Sequence, residues 1–80
     1  MADIKIKELT EIVEKRLFSA GKELLHDALK KMDFENSKEI SPEDAICVFE
    51  LMREGMHTEV SKNTMNKCLD DLSLLISKDR

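Results

Sequence analysis

Aromatic and conformationally special residues are scarce in this sequence of 80 residues. It contains no tryptophan or tyrosine, three phenylalanines, two glycines, one proline and two cysteines. The shortage of aromatic rings removes the usual stacking platforms for single-stranded nucleic acid and the usual aromatic anchors of tight interfaces. Aliphatic and methionine side chains must therefore do most of the packing.

The two cysteines, Cys47 and Cys68, are too few for a disulfide framework, and no apolar run resembles a signal peptide or a membrane span. We therefore expect a cytoplasmic protein without membrane insertion. Both cysteines stand among apolar residues, which predicts buried thiols that act as small hydrophobes. The cysteines and histidines lack the spacing of a zinc site or a nucleophile–base pair, and no glycine-rich phosphate loop is present. We predict no enzymatic activity, no cofactor and no metal.

Helical periodicity dominates the first part of the chain. From Asp3 to Met32 apolar residues recur every three or four positions, and no proline interrupts them. Gly21 is the weak point, because glycine costs about 1 kcal/mol relative to alanine in a helix. The stripe keeps its phase across Gly21, which predicts one long helix, with any bend near that residue. The stripe consists of Leu9, Val13, Leu17, Ala20, Leu24, Ala28 and Met32.

A second helix is predicted to begin after Ser41. Ser41 is a suitable N-cap, Pro42 suits the first helical position, and Asp44 stands three residues after the cap. The helix should run to about Arg53 and end at Gly55 in a left-handed conformation. The apolar run over residues 45–49 predicts a central position in the fold.

A third helix is predicted to begin at Ser61, with Val60 and Met65 as a hydrophobic staple around its first turn. The fold class that follows is all-α. It is a small helical bundle with one long N-terminal helix and two shorter helices, in which residues 1–80 form a single domain. No strand pattern competes with the helical period.

The length of the first helix suggests a binding surface. About 30 helical residues would extend ~45 Å, whereas helices of about 13 to 16 residues reach only ~20 to 24 Å. Part of the stripe would then remain for a protein partner or a second copy of the chain, unless the first helix bends and the chain closes into a four-helix globule. We predict that Leu9, Val13 and Leu17 belong to the partner surface.

Negative charge is concentrated in the middle of the sequence. Residues 33–59 carry eight acidic and two basic side chains, whereas the flanking regions are close to balanced. This acidic belt either steers a basic partner or simply solvates the surface. We expect a small cytosolic regulator or adaptor that binds a protein, for example as an inhibitor of a larger partner. The acidic residues predicted to contact that partner are Glu35, Glu39, Glu43 and Asp44.

The segment from Asp33 to Asp44 resembles an EF-hand calcium loop. The oxygen-bearing residues that match ligand positions of such a loop are Asp33, Glu35, Ser37, Ser41 and Asp44. Lys38, however, occupies the place of the turn glycine, and the same register around Ser61 supplies no carboxylate. A degenerate calcium-responsive module is therefore an alternative interpretation.

The stretch from His57 onward resembles the recognition-helix end of winged-helix regulators. Asp70, Asp71 and the acidic belt would oppose a phosphate backbone. A DNA-binding, helix-turn-helix-like transcription regulator is therefore kept as the first alternative to a protein-binding regulator, and the calcium-responsive module as the second. The small polar and basic residues that suit base and phosphate contacts are Ser61, Lys62, Asn63, Thr64, Asn66 and Lys67.

Overall fold

The computed structural model describes residues 3–78 and confirms the all-α fold class. The helices are α1 (Ile6–Lys31), α2 (Pro42–Glu54) and α3 (Glu59–Lys78), and two short strands, β1 (Ile4–Lys5) and β2 (Glu39–Ile40), complete the described elements. The strands pair antiparallel, with Ile4 opposite Ile40 and Lys5 opposite Glu39. The sequence did not predict them, because strands of two residues are too short to leave a period of their own.

α1 is broken at Phe18. The backbone angles there are φ 57° and ψ −143°, which are not helical. An unbroken helix of 26 residues would be ~39 Å long, which exceeds the 34 Å largest dimension of the molecule. Ile6 and Leu29 line one concave surface, although a straight helix would hold them ~35 Å apart. The N-terminal half of α1 (residues 6–17) and its C-terminal half (residues 19–31) therefore fold back toward each other.

Gly21 marks the close approach of the two halves of α1 and not the break itself. It is buried, and a β-carbon built on it would lie 2.7 Å from the carbonyl oxygen of Val13 and 2.7 Å from the β-carbon of Leu17. The break thus lies three residues before the weak point that the sequence indicated. The glycine is needed for its small size, whereas Phe18 takes the non-helical backbone conformation.

Buried apolar side chains from the three helices and both strands form one core. α2 packs against both other helices, as its apolar run predicted, and Phe49 of α2 is completely buried. The core residues are Ile4, Leu9, Val13, Leu25, Ala28, Leu29, Ile40, Ala45, Val48, Phe49, Met52, Met56, Met65, Cys68 and Leu72.

The predicted start of α2 is confirmed, whereas the predicted conformation at its end is wrong. The hydroxyl of Ser41 accepts a hydrogen bond of 3.1 Å from the backbone N–H of Asp44, and Pro42 is the first helical residue. At the C-terminus Gly55 has φ −78° and ψ −5°, so it is right-handed. Its N–H donates to the carbonyl oxygens of Leu51 and Met52. These bonds close the last turn without a left-handed residue.

α3 begins earlier than the sequence predicted. Its N-terminal hydrogen bonds are made by Thr58, whose hydroxyl accepts from the N–H of Ser61 at 3.1 Å and whose carbonyl accepts from Lys62. Val60 is 76% exposed, so it forms no staple with the buried Met65. Threonine and serine are both good caps, and the pattern around Ser61 did not distinguish the two starts.

Candidate functional site

Two of the three apolar residues predicted to bind a partner lie inside the core. Leu9 and Val13 are completely buried, and Leu17 is half-buried. Because α1 folds back at Phe18, the shorter helices reach most of its stripe. The radius of gyration of 11.5 Å matches the ~11.6 Å expected for a compact chain of this length. Leu9 and Val13 therefore cannot contact a partner in this conformation, and we do not include them in the candidate site.

The predicted acidic contacts remain accessible. Glu35, Glu39 and Glu43 are exposed, and Asp44 is half-buried in the first turn of α2. Lys5 lies opposite Glu39 in the strand pair, where opposite charges attract. The concave surface around Glu39 is also lined by Lys7 and Lys38. The acidic belt is therefore interrupted by basic side chains on this side.

Asp33, the first residue of the EF-hand-like segment, ends α1. It has φ 62°, its N–H donates to the carbonyl of Lys30 at 3.1 Å, and the N–H of Phe34 donates to the carbonyl of Leu29 at 2.8 Å. This pair of bonds is a Schellman motif with aspartate in the left-handed position. Within residues 3–78, no three side chains of His, Cys, Asp or Glu come together in a way that would hold a metal ion.

Several polar residues of the DNA-binding alternative are engaged within the fold. Ser61 accepts a hydrogen bond from the hydroxyl of Thr58, and Thr64 donates to the carbonyl of Val60. The side-chain oxygen of Asn66 accepts from Arg53 at 2.9 Å. Three side chains of this set therefore have a hydrogen-bond partner within the protein.

The two cysteines lie in different environments. Cys68 is buried, as predicted, and burial raises the pKa of its thiol. Cys47 is exposed on the outer face of α2, so the prediction of a buried thiol is wrong there. The apolar run around Cys47 contains more hydrophobic residues than the buried side of α2 can hold.

An ion pair joins the N-terminal half of α1 to α3. The guanidinium of Arg16 donates two hydrogen bonds to the carboxylate of Asp71, at 2.7 and 3.2 Å. The hydrogen bond from Arg16 holds the pKa of Asp71 below its ordinary value. Such a bidentate contact fixes the relative orientation of the two side chains in addition to pairing their charges. It holds the N-terminal half of α1 beside α3, where Ile12 and Leu75 line the same concave surface.

A shallow groove lies between these two elements, and we take it as the candidate functional site. Ile12 and Leu75 are half-buried in it, and Leu74 stands out beside them with 68% of its surface exposed. A concave apolar strip with an accessible leucine is typical of surfaces that accept an amphipathic helix. The groove is lined by Glu8, Glu11, Ile12, Lys15, Asp71, Leu74, Leu75 and Lys78.

Sequence reasoning missed Leu74 because it lies outside the apolar period of α3. Leu72 is buried and Leu75 is half-buried, and a residue two positions after Leu72 points to a different side of the helix. The one signal in the sequence was that Leu74 is a leucine outside the apolar stripe of α3. Ile12 was missed for a different reason. It lies beside Val13 at the edge of the apolar stripe of α1, and most of that stripe is buried.

No protein-family model, curated protein or solved structure matches this chain. None of the helices within residues 3–78 is long and apolar enough to span a membrane.

Proposed function

We propose that this protein is a small cytosolic regulator or adaptor that binds a protein partner through the groove between α1 and α3. The observation that carries the proposal is Leu74, a large aliphatic side chain with 68% of its surface exposed beside half-buried Ile12 and Leu75. A partner that covered Leu74 would remove its apolar surface from water, which favours binding by roughly 1.5–3 kcal/mol.

The charges around the groove describe the partner segment that would fit. Glu8 and Glu11 line it from α1, while Lys15 and Lys78 add positive charge. A complementary segment is an amphipathic helix with leucine-like residues on one face and charges of both signs along its edges. The groove does not favour a nucleic acid, because acidic side chains line it as well as basic ones and would repel the phosphate backbone.

Substitution of Leu74 tests the proposal. We expect Leu74→Asp to weaken capture of the partner from the native host by at least about tenfold, since loss of the contact and burial of a charge act together. The matched control is Val60→Asp, because Val60 is also largely exposed, at 76%, but lies outside the groove lining. Undiminished capture by Leu74→Asp, or equal losses in both variants, would rule out the groove.

The acidic belt supplies a second arm of the same experiment. Reversal of Glu35 and Glu39 to lysine should slow association with a basic partner and reduce its dependence on salt. Glu43 and Asp44 are left unchanged, because acidic residues in the first turn favour α2 through the helix dipole. If the reversal does not change the association rate, the acidic belt does not steer the partner.

A further inference from the structure

The strongest unexplained feature of the molecule is the backbone at Phe18. Its combination of φ 57° and ψ −143° is unfavourable for any residue with a β-carbon and is largely restricted to glycine. The ring does not compensate by packing, because 75% of Phe18 is exposed. The fold therefore holds an unfavourable conformation at one residue, and the surrounding contacts must maintain it.

The sequence around Phe18 is compatible with an unbroken helix. The apolar stripe runs in phase from Leu9 through Leu17 to Leu25, and no proline lies between residues 6 and 31. In a continuous helix Phe18 would adopt ordinary helical angles. Val13 and Gly21 of the same chain would also move apart, since residues eight apart are ~12 Å apart along a helix.

The contacts that hold α1 folded join residues before the break to residues after it. The Arg16–Asp71 ion pair, the pairing of Ile4 with Ile40 and the hydrogen bond from Ile6 N–H to the carbonyl of Lys38 are of this kind. A second copy of the chain offers the same contacts with the same geometry. Exchange of the segment between two copies therefore keeps these contacts and removes the unfavourable backbone at both breaks.

We propose that Phe18 is the hinge of a domain exchange between two copies of this protein. α1 straightens at Phe18, and residues 3–17 of each copy pack onto residues 19–78 of the other. The partner is thus a second copy of the chain, and its N-terminal segment occupies the place that the chain's own segment fills in the monomer.

Two substitutions of the exposed Phe18 both remove its ring, and they change the backbone preference at the hinge in opposite directions. F18G permits the broken backbone and disfavours a continuous helix, whereas F18A disfavours the broken backbone and favours the helix. Between these two variants, each hinge should change the dissociation constant of the dimer by at least about tenfold, equivalent to about 1.4 kcal/mol. Because a dimer contains two hinges, its dissociation constant should be at least about 100-fold lower for F18A than for F18G.

The measurement is sedimentation velocity over a concentration series. Samples are first unfolded and refolded at high concentration under reducing conditions, because exchange requires the segment to detach and Cys47 is exposed. F18A should form dimers and F18G should remain monomeric. Two variants with the same dimer affinity, or an F18A variant that stays monomeric throughout, would overturn the proposal.

A pair of charge variants distinguishes a dimer that exchanges residues 3–17 from a dimer that associates through the surface of the folded monomer. R16D and D71R each place like charges at positions 16 and 71 of the same chain, so each monomer loses the ion pair. In an exchanged heterodimer of the two variants both ion pairs are restored across the chains. Introduced into the F18A background and refolded together, they should form heterodimers above the proportion expected from random pairing. Random pairing would show that the dimer does not exchange residues 3–17 and would overturn the proposal.

Discussion

At the scale of single residues, two side-chain-bearing residues within residues 3–78 adopt positive φ, and they do so for different reasons. Asp33 sits at the end of α1, where its N–H and that of Phe34 satisfy carbonyls of the last turn, and aspartate tolerates the left-handed conformation. Neither reason applies to Phe18. Its ψ of −143° lies outside the left-handed helical region, and its ring is exposed, so packing of the ring does not offset the unfavourable backbone. The first is a helix terminus that a short acidic residue can make, and the second is a hinge.

The Arg16–Asp71 pair gives a prediction about pH. The hydrogen bond from Arg16 lowers the pKa of Asp71 from 3.8, so the pair stabilises the fold above that pH and its contribution is lost as the pH falls through the lower folded value. We expect the melting temperature of the wild type to exceed that of Asp71→Asn at neutral pH. This difference should shrink as the pH is lowered below about 4.

The measurement is thermal unfolding by circular dichroism across that pH range. Asp70→Asn is the control, since it removes the same charge from the neighbouring position without breaking the contact to Arg16. A difference between wild type and Asp71→Asn that stays constant down to about pH 2 would show that the carboxylate of Asp71 is not held by Arg16.

At the scale of elements, the sequence predicted those features that depend on a period or on one local signal. The apolar stripe predicted α1, and Ser41 followed by Pro42 predicted the start of α2. The break at Phe18 could not be predicted in this way, because nothing in the residues around it disfavours a helix more than Gly21 does. It depends on contacts between α1 and α3 that are distant in sequence, such as Arg16 with Asp71.

The candidate site was missed for the same reason. Leu9 and Val13 look available if α1 is straight, and they become core residues once α1 folds back. The groove that replaces them exists only because the N-terminal half of α1 lies along α3. Its exposed residue, Leu74, carries no signal by itself beyond its position off the stripe.

The glycines give a prediction at the same scale. Gly21→Ala should lower the stability of the monomer, because the added β-carbon would meet the backbone of Val13 at 2.7 Å. Overpacking of this kind costs roughly 1–3 kcal/mol, and we expect it to exceed the gain of about 1 kcal/mol in helix propensity, because the atom that the β-carbon meets belongs to the backbone. Each kcal/mol lost should lower the melting temperature by about 4–8 °C.

Gly55→Ala is the matched control for that experiment. Gly55 is right-handed, and a β-carbon there would lie no closer than 3.5 Å to a neighbour outside the adjoining residues. We expect it to be neutral or to stabilise the fold by up to about 1 kcal/mol. If chemical denaturation found Gly21→Ala as stable as Gly55→Ala, the close approach of the two halves of α1 would be wrong.

At the scale of the whole molecule, the chain covers most of its own apolar stripe by folding α1 back. The broken helix gives a compact bundle with one core, and the groove beside Leu74 is the apolar surface that we propose for a partner. The same break is the point at which two copies would exchange residues 3–17. Protein binding and domain exchange are separate proposals, but both depend on α1 being folded at Phe18.

Pulsed electron paramagnetic resonance between spin labels at positions 7 and 30 tests that fold most directly. Lys7 and Lys30 are exposed, so Lys7→Cys and Lys30→Cys should be tolerated. Replacement of Cys47 by serine removes the other accessible thiol, while Cys68 is buried and the raised pKa of its thiol further reduces labelling. The sample is the monomer fraction diluted with unlabelled protein, so that distances between copies do not contribute.

A straight α1 would separate the two labelled positions by ~35 Å, since position 30 lies 23 residues further along the helix than position 7. The broken α1 predicts a main distance well below that value, because Ile6 and Leu29 line the same concave surface. A monomer whose main distance is ~35 Å or more would contradict the account, and with it the groove and the hinge.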